Sequence, residues 1–168
     1  MLFTLKNGAA VRIRPIEPAD KDILAVAHGR LSEETVYLRF LSAKPRLSGS
    51  ELRYLTEVDG ESHFALIAVM ADRPDDAVGV ARFVRSSEDP QAAEAAVVVG
   101  DAFQHQGLGR QLGLMLADAA RERGIRRFTA TMLGTNLAAH RLMAAISHRL
   151  SNERPDGATR TLVAELAA

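Results

Sequence analysis

The sequence predicts an α/β (α+β) fold, a mixed but mostly antiparallel central sheet flanked by helices. Three observations carry that expectation. An apolar run at 93–100 empties into the glycine turn Gln104-His105-Gln106-Gly107-Leu108-Gly109-Arg110, and an amphipathic helix follows. The next apolar run, 125–133, must pair parallel with the first, because a helical crossover joins them. Two further runs, 64–71 and 77–85, flank the polar turn Asp72-Arg73-Pro74-Asp75-Asp76 and read as an antiparallel hairpin.

In chain order, alternation over Ala10-Val11-Arg12-Ile13-Arg14 predicts the first strand, stopped by Pro15 and Pro18. Residues 19–30 read as a helix with Ile23, Leu24, Ala27 and Leu31 near one face. Ser32 suits the N-cap of a second helix, where Val36, Tyr37 and Phe40 recur at helical spacing. Ser48 followed by Glu51 is a capping-box signature for a third helix reaching about Val58. After the hairpin, the polar stretch 86–91 turns at Pro90 into the strand that feeds the glycine loop. The helix at 111–123 shares an apolar face with Leu108, Leu112, Met115, Leu116 and Ala119, and ends near Gly124. Residues 136–146 make a second amphipathic helix, and Asp156-Gly157 turns a terminal hairpin that finishes over 161–166. Neither repeats nor low-complexity linkers interrupt this order, so residues 1–168 are expected to form one domain.

Composition narrows the function classes. Apolar residues make up 47% and charged residues 25%, ordinary values for a globular protein. Twenty-one basic residues balance 21 acidic ones, leaving no net field to recruit nucleic acid or an anionic membrane. The absence of cysteine excludes a disulfide framework, a thiolate metal site and a cysteine nucleophile. His28, His63, His105, His140 and His148 lack metal-ligand spacing, so no metal is expected. No secretory segment or 18-residue apolar span is evident, which points to a cytoplasmic protein without a membrane partner. A homo-oligomer is compatible with the sequence.

The glycine loop carries the chemistry. Amides without Cβ crowding, placed at a helix N-terminus, favour a phosphorylated ligand. The dinucleotide fingerprint G-x-G-x-x-G does not fit: after Gly107 and Gly109 the third slot holds Leu112, and Gly113 comes one residue late. No acidic residue lies in 126–135, where a ribose partner should fall, and no Gly-Lys-Ser/Thr phosphate loop exists. What fits is Gln-x-x-Gly-x-Gly, read as Gln104, Gly107 and Gly109.

That pattern resembles the pyrophosphate loop of the GCN5-related N-acetyltransferases, the GNAT superfamily, which use acetyl-CoA. The similarity extends to Val11-Arg12-Ile13-Arg14-Pro15-Ile16, to Leu31-Ser32-Glu33-Glu34-Thr35-Val36-Tyr37-Leu38-Arg39-Phe40 and to Leu55-Thr56-Glu57-Val58-Asp59. These segments resemble the acetyltransferase domains of bacterial protein-lysine acetyltransferases. The resemblance implies a mostly antiparallel sheet, acetyl-CoA as cosubstrate and a protein lysine as acceptor amine. Family members often carry a fused regulatory domain, for which this chain has no room.

Site residues follow from the same resemblance. Glu94 matches the glutamate that serves as general base, and it is the only charge between Ala92 and Gly100. A lone carboxylate in an apolar strand suits that role through desolvation. Amides around Val97, Val98 and Val99 would hold the pantetheine and the thioester oxygen. The loop residues Gln104, His105, Gln106, Gly107, Leu108, Gly109 and Arg110 would hold the pyrophosphate. Asn136 matches an asparagine that contacts CoA, and it equally suits a helix N-cap. Glu57, Asp59, Glu61 and His63 form a rival polar cluster, read as loop polarity or acceptor contacts. Two departures stand out: Met143 occupies the slot of a tyrosine general acid, and Ser147-His148 replaces a Gly-Phe pair. Small-molecule amine acetylation and a non-catalytic CoA-binding module are the alternative functions.

Overall fold

The computed structural model describes residues 1–153 and 155–167. Among these residues eight strands form one sheet: β1 (Leu2–Thr4), β2 (Ala10–Pro15), β3 (His63–Met70), β4 (Ala77–Arg85), β5 (Ala92–Val99), β6 (Arg127–Leu133), β7 (Ser147–Asn152) and β8 (Thr159–Leu166). Their spatial order is β1-β2-β3-β4-β5-β6-β8-β7, and only β5 and β6 run parallel. The helices are α1 (Lys21–Gly29), α2 (Glu33–Phe40), α3 (Gly49–Thr56), α4 (Leu108–Glu122) and α5 (Leu137–Ile146). This is the fold class the sequence predicts. No helix among the described residues is long and apolar enough to cross a membrane.

Each face of the sheet buries its own core, because period-2 alternation sends neighbouring side chains to opposite sides. Leu108, Leu112 and Leu116 of α4 pack with Phe83 and Phe128 on one face. Leu24 of α1 and Leu55 of α3 pack with Ile67 and Val80 on the other. Gly113 lets α4 approach α5: a Cβ there would stand 2.7 Å from Leu142 Cδ1.

Several elements differ from expectation for visible reasons. Met1 to Leu5 contains a strand, β1, held antiparallel to β2. The loop that joins β1 to β2 braces the glycine loop: Lys6 N–H donates to Gln106 O (3.3 Å), and Asn7 N–H donates to Gln106 Oε1 (3.0 Å). The helix expected from Ala19 begins at Lys21, after a short 3-10 turn over Pro18–Asp20. There Asp20 receives both Nη1 and Nη2 of Arg14, at 2.7 Å each. α4 starts three residues earlier than expected because Gly107, at φ +90°, caps it in the left-handed region that glycine tolerates. The terminal hairpin turns at Asp156 and Gly157 as expected, but its first strand, β7, leaves α5 without any intervening loop.

Candidate active site

Where β5 and β6 meet, the sheet splits. They pair only over Ala92–Glu94 with Arg127–Thr129; beyond that β5 stays with β4 and β6 stays with β8. Gly100 N–H donates to Val78 O and Ser86 N–H donates to Ala92 O, both at 2.9 Å, and the register between them is unbroken. Even-numbered residues of β5 therefore spend their backbone groups on β4, and odd-numbered ones face β6. The pairing of Glu94 with Thr129 uses the Ala95 N–H, so beyond it the C=O of Ala95 and both backbone groups of Val97 open onto the gap. Val98 turns its amide to β4 and sends its side chain to the α1 face.

The gap continues into a cleft of about 580 Å³, lined by Val97, Val99, Leu116, Met132, Leu142 and Met143 among others. Its size lies within the roughly 300–1,000 Å³ of small-molecule sites. The start of α4 forms one end. Gln111 N–H makes the first intrahelical bond, to Gly107 O at 3.1 Å, so the amides of Leu108, Gly109 and Arg110 have no helical acceptor. Those donors, with the helix dipole behind them, favour an anion. The Arg110 and His105 side chains line the same cleft. Leu108 instead buries its side chain fully in the core, and Gln106 turns to the β1–β2 loop.

A polar lock fixes the loop against α2. Asp101 accepts from Ser32 N–H (3.0 Å), Ser32 Oγ (2.6 Å) and Thr35 Oγ1 (2.8 Å). Burial pushes the Asp101 carboxyl up, but these donors outweigh it and hold the group below its ordinary value. Gln104 Nε2 donates to Thr35 Oγ1 (3.3 Å) and to Val99 O (3.2 Å), covering the last odd-numbered carbonyl of β5. The sequence reading gave Gln104 to the pyrophosphate; its side chain here ties the loop to β5 and α2. Asn136 caps α5 by accepting from Ala139 N–H (3.1 Å), and its side chain lines the cleft as well. Met143 is buried at 4% exposure, so the tyrosine slot holds an apolar wall with no proton to give.

Glu94 sits on β5 at the apex of the split, the last residue paired with β6 before the strands part. Its side chain is exposed, contrary to the desolvation expected of it, and it borders the cleft without lining it. On the same sheet face stands Arg82 of β4, whose Nη1 donates to Leu55 O (3.1 Å) and His63 Nε2 (2.9 Å). His63 must be neutral to accept that bond. Burial first, then the charge of Arg82, pushes its pKa down to about 4. Arg82 itself falls to about 10 through burial and the charge of Arg39 on α2. Burial lowers Arg39 too, while Glu94 acts in the opposite direction. Of the rival cluster, Glu57 pairs with Lys21 (2.6 Å) and Asp59 accepts from the amides of Glu61 and His63 (2.8 Å each). Only His63 joins the site. Among the described residues no group of three or more His, Asp or Glu side chains could hold a metal ion.

A parallel strand pair that splits beside a helix start with free amides leaves a cleft that is apolar along its wall and favours an anion at one end. The sequence matches the acetyltransferase (GNAT) family over residues 29–146, and the chain belongs to that family of acetyltransferases. It is similar to the acetyltransferase Pat of Mycolicibacterium smegmatis: 34% identical over 146 residues, 83% of this chain and 41% of that protein. The chain thus spans about two fifths of that relative's length. An acetyltransferase of Pseudomonas aeruginosa is 29% identical over 160 residues, covering 95% of this chain and 85% of the relative. Among solved structures, the GNAT domain of S. lividans PAT superposes with a TM-score of 0.88 at 28% identity, over 99% of this chain and 96% of that one.

Proposed function

We propose that this chain transfers an acetyl group from acetyl-CoA to a primary amine, with a protein lysine as the favoured acceptor, by direct attack in a ternary complex. The observation that carries the reading is the split between β5 and β6, with Glu94 at its apex and the unpaired amides of α4 in the cleft. The lysine acceptor is supported by the resemblance of the α2 and α3 segments to protein-lysine acetyltransferases.

The donor supplies an activated thioester carbonyl. The amides of Leu108, Gly109 and Arg110 suit its pyrophosphate, with the Arg110 guanidinium beside them. The open backbone groups of Ala95 and Val97 suit the amide-bearing pantetheine arm, and the Val97 N–H is a candidate donor to the tetrahedral oxyanion. Glu94 takes the proton of the acceptor ammonium, directly or through one water, and frees the lone pair that attacks the carbonyl. The new C–N bond forms, and the nitrogen of the tetrahedral intermediate gives up a second proton to water. The C–S bond breaks, and the thiolate takes a proton back from water, since Met143 cannot supply one.

Because the protein lacks cysteine, released CoA can be followed with a thiol reagent free of protein background. Glu94→Gln is expected to lower kcat by about 10²-fold or more while leaving acetyl-CoA affinity within about twofold. Equal activity in the variant removes Glu94 as the base. Acetyl-CoA binding without turnover of any amine would favour a CoA-binding module, a reading that the apolar Met143 motivates.

A further inference from the structure

The acceptor side of the sheet carries two guanidiniums that no carboxylate of the described residues pairs. Arg82 is 6% exposed, and the bonds of its Nη1, to Leu55 O and to His63 Nε2, go to neutral acceptors. Its Nε and Nη2 bond to none of the described residues. Among those residues no side-chain polar atom is both sealed from solvent and unpartnered, so these two donors reach open space. Arg39 rests its guanidinium over the Phe40 ring, 4.7 Å from the centroid, and makes no hydrogen bond or ion pair within the described chain. Its charge is felt by Arg82. Two like charges in a partly desolvated pocket oppose each other, and an anion bound between them relieves both.

The space beside them suits a small anion. Arg39 and Arg82 line a cavity of about 60 Å³ beneath α1 and α2, which adjoins the larger cleft along Arg39, Ala96 and Val98. A water needs about 10–15 Å³ of such space, so the cavity takes roughly four to six heavy atoms. A carboxylate and its neighbouring carbons fit, and planar guanidinium forks match a carboxylate. A nucleotide does not fit. Glu94, on the same sheet face, carries the charge that an ammonium needs. Beside the split, Glu94 thus stands as one anion near two cations, the complement of an acceptor bearing both an amine and a carboxylate.

Resting on the amine-acetyltransferase reading, we infer that Arg39 and Arg82 form an acceptor-side pocket for a carboxylate carried close to the reacting amine. The same chemistry has two sources: an acidic side chain beside a target lysine, or the carboxylate of a free amino acid. Two matched pairs of acceptors distinguish them. One is a lysine peptide flanked by Glu against the same peptide flanked by Gln; the other is a set of free amino acids against their amides.

Turnover gives KM and kcat for each. Binding is titrated calorimetrically with CoA present in place of acetyl-CoA, so that this readout needs no chemistry. In one pair the carboxylate form is expected to bind about tenfold tighter, with the difference in KM and not in kcat. Arg39→Gln should bring that ratio close to one, and Arg39→Lys, which keeps the charge without the fork, should restore part of it. Preference in the peptide pair assigns the acidic neighbour; preference in the amino-acid pair assigns the free acid. A wild-type ratio near one in both pairs overturns the inference, and so does a ratio that survives Arg39→Gln. The wild-type ratio decides even if the variants fail to fold. If no amine is turned over, the transfer reading falls while the binding ratios still decide the pocket.

Discussion

The two halves of the proposed site are built from different materials. The donor half is backbone: strand groups left open by the split, helix-start amides with no acceptor, and a glycine in the left-handed region. The acceptor half is side chains: Glu94 and Arg82 from neighbouring strands, Arg39 from α2 and His63 from β3. Backbone donors carry no net charge, so they serve a ligand whose chemistry is constant. Charged side chains discriminate, and they suit the partner that varies. The donor half should accordingly respond to changes of chain geometry, and the acceptor half to changes of charge and pH.

Glu94→Gln aside, the largest effect is expected at Gly107, whose φ of +90° disfavours any side chain. Gly107→Ala should cost about 1–2 kcal/mol in the loop. It should weaken acetyl-CoA binding about tenfold by calorimetry, with the acceptor KM unmoved; a selective rise in acceptor KM would break the division of labour. A smaller effect is expected at Asp101, which ties α2 to the loop through Ser32 and Thr35. Asp101→Ala should lower stability by about 1 kcal/mol in a denaturant titration, and it should disturb both halves, because the lock joins them. Smallest is a pH effect on the acceptor half. The folded His63 pKa, at about 4, lies below its ordinary value of 6.5. Its contribution to stability is therefore complete above pH 6.5 and is lost as pH falls toward 4. The Tm should drop between pH 7 and pH 5, and His63→Gln should flatten that slope.

The proposed donor half can be read in the sequence because it is local. A strand, a loop and a helix contiguous in the chain put Val97, Gly107, Gly109 and Arg110 into one motif, and periodicity gave the helix behind them. Side-chain direction was less legible. Nothing in the motif says that Leu108 enters the core, or that Gln106 faces the β1–β2 loop at Asn7, 99 residues away in sequence. Only the parity of the β4 ladder shows that Ala95 and Val97, and not Val98, face the gap. The acceptor half was illegible because its parts are far apart in the chain. Arg82 and Arg39 each read as an ordinary basic residue on an amphipathic element. One signal was present: Arg82 stands among Val80, Ala81, Phe83 and Val84, an apolar strand in which a lone charge is costly. Of the rival cluster, only His63 meets Arg82, while Glu57 pairs with Lys21 and Asp59 ties down its own loop.

The central claim is that the split sheet and the start of α4 form a donor site for acetyl-CoA. A calorimetric titration of the wild-type chain with acetyl-CoA, with NADH as the comparison ligand, tests it without any assumption about the acceptor. Saturable one-to-one binding of acetyl-CoA, with no saturable binding of NADH, is the predicted result. No binding of acetyl-CoA, or equal binding of the two, would contradict the claim and take the proposed reaction with it.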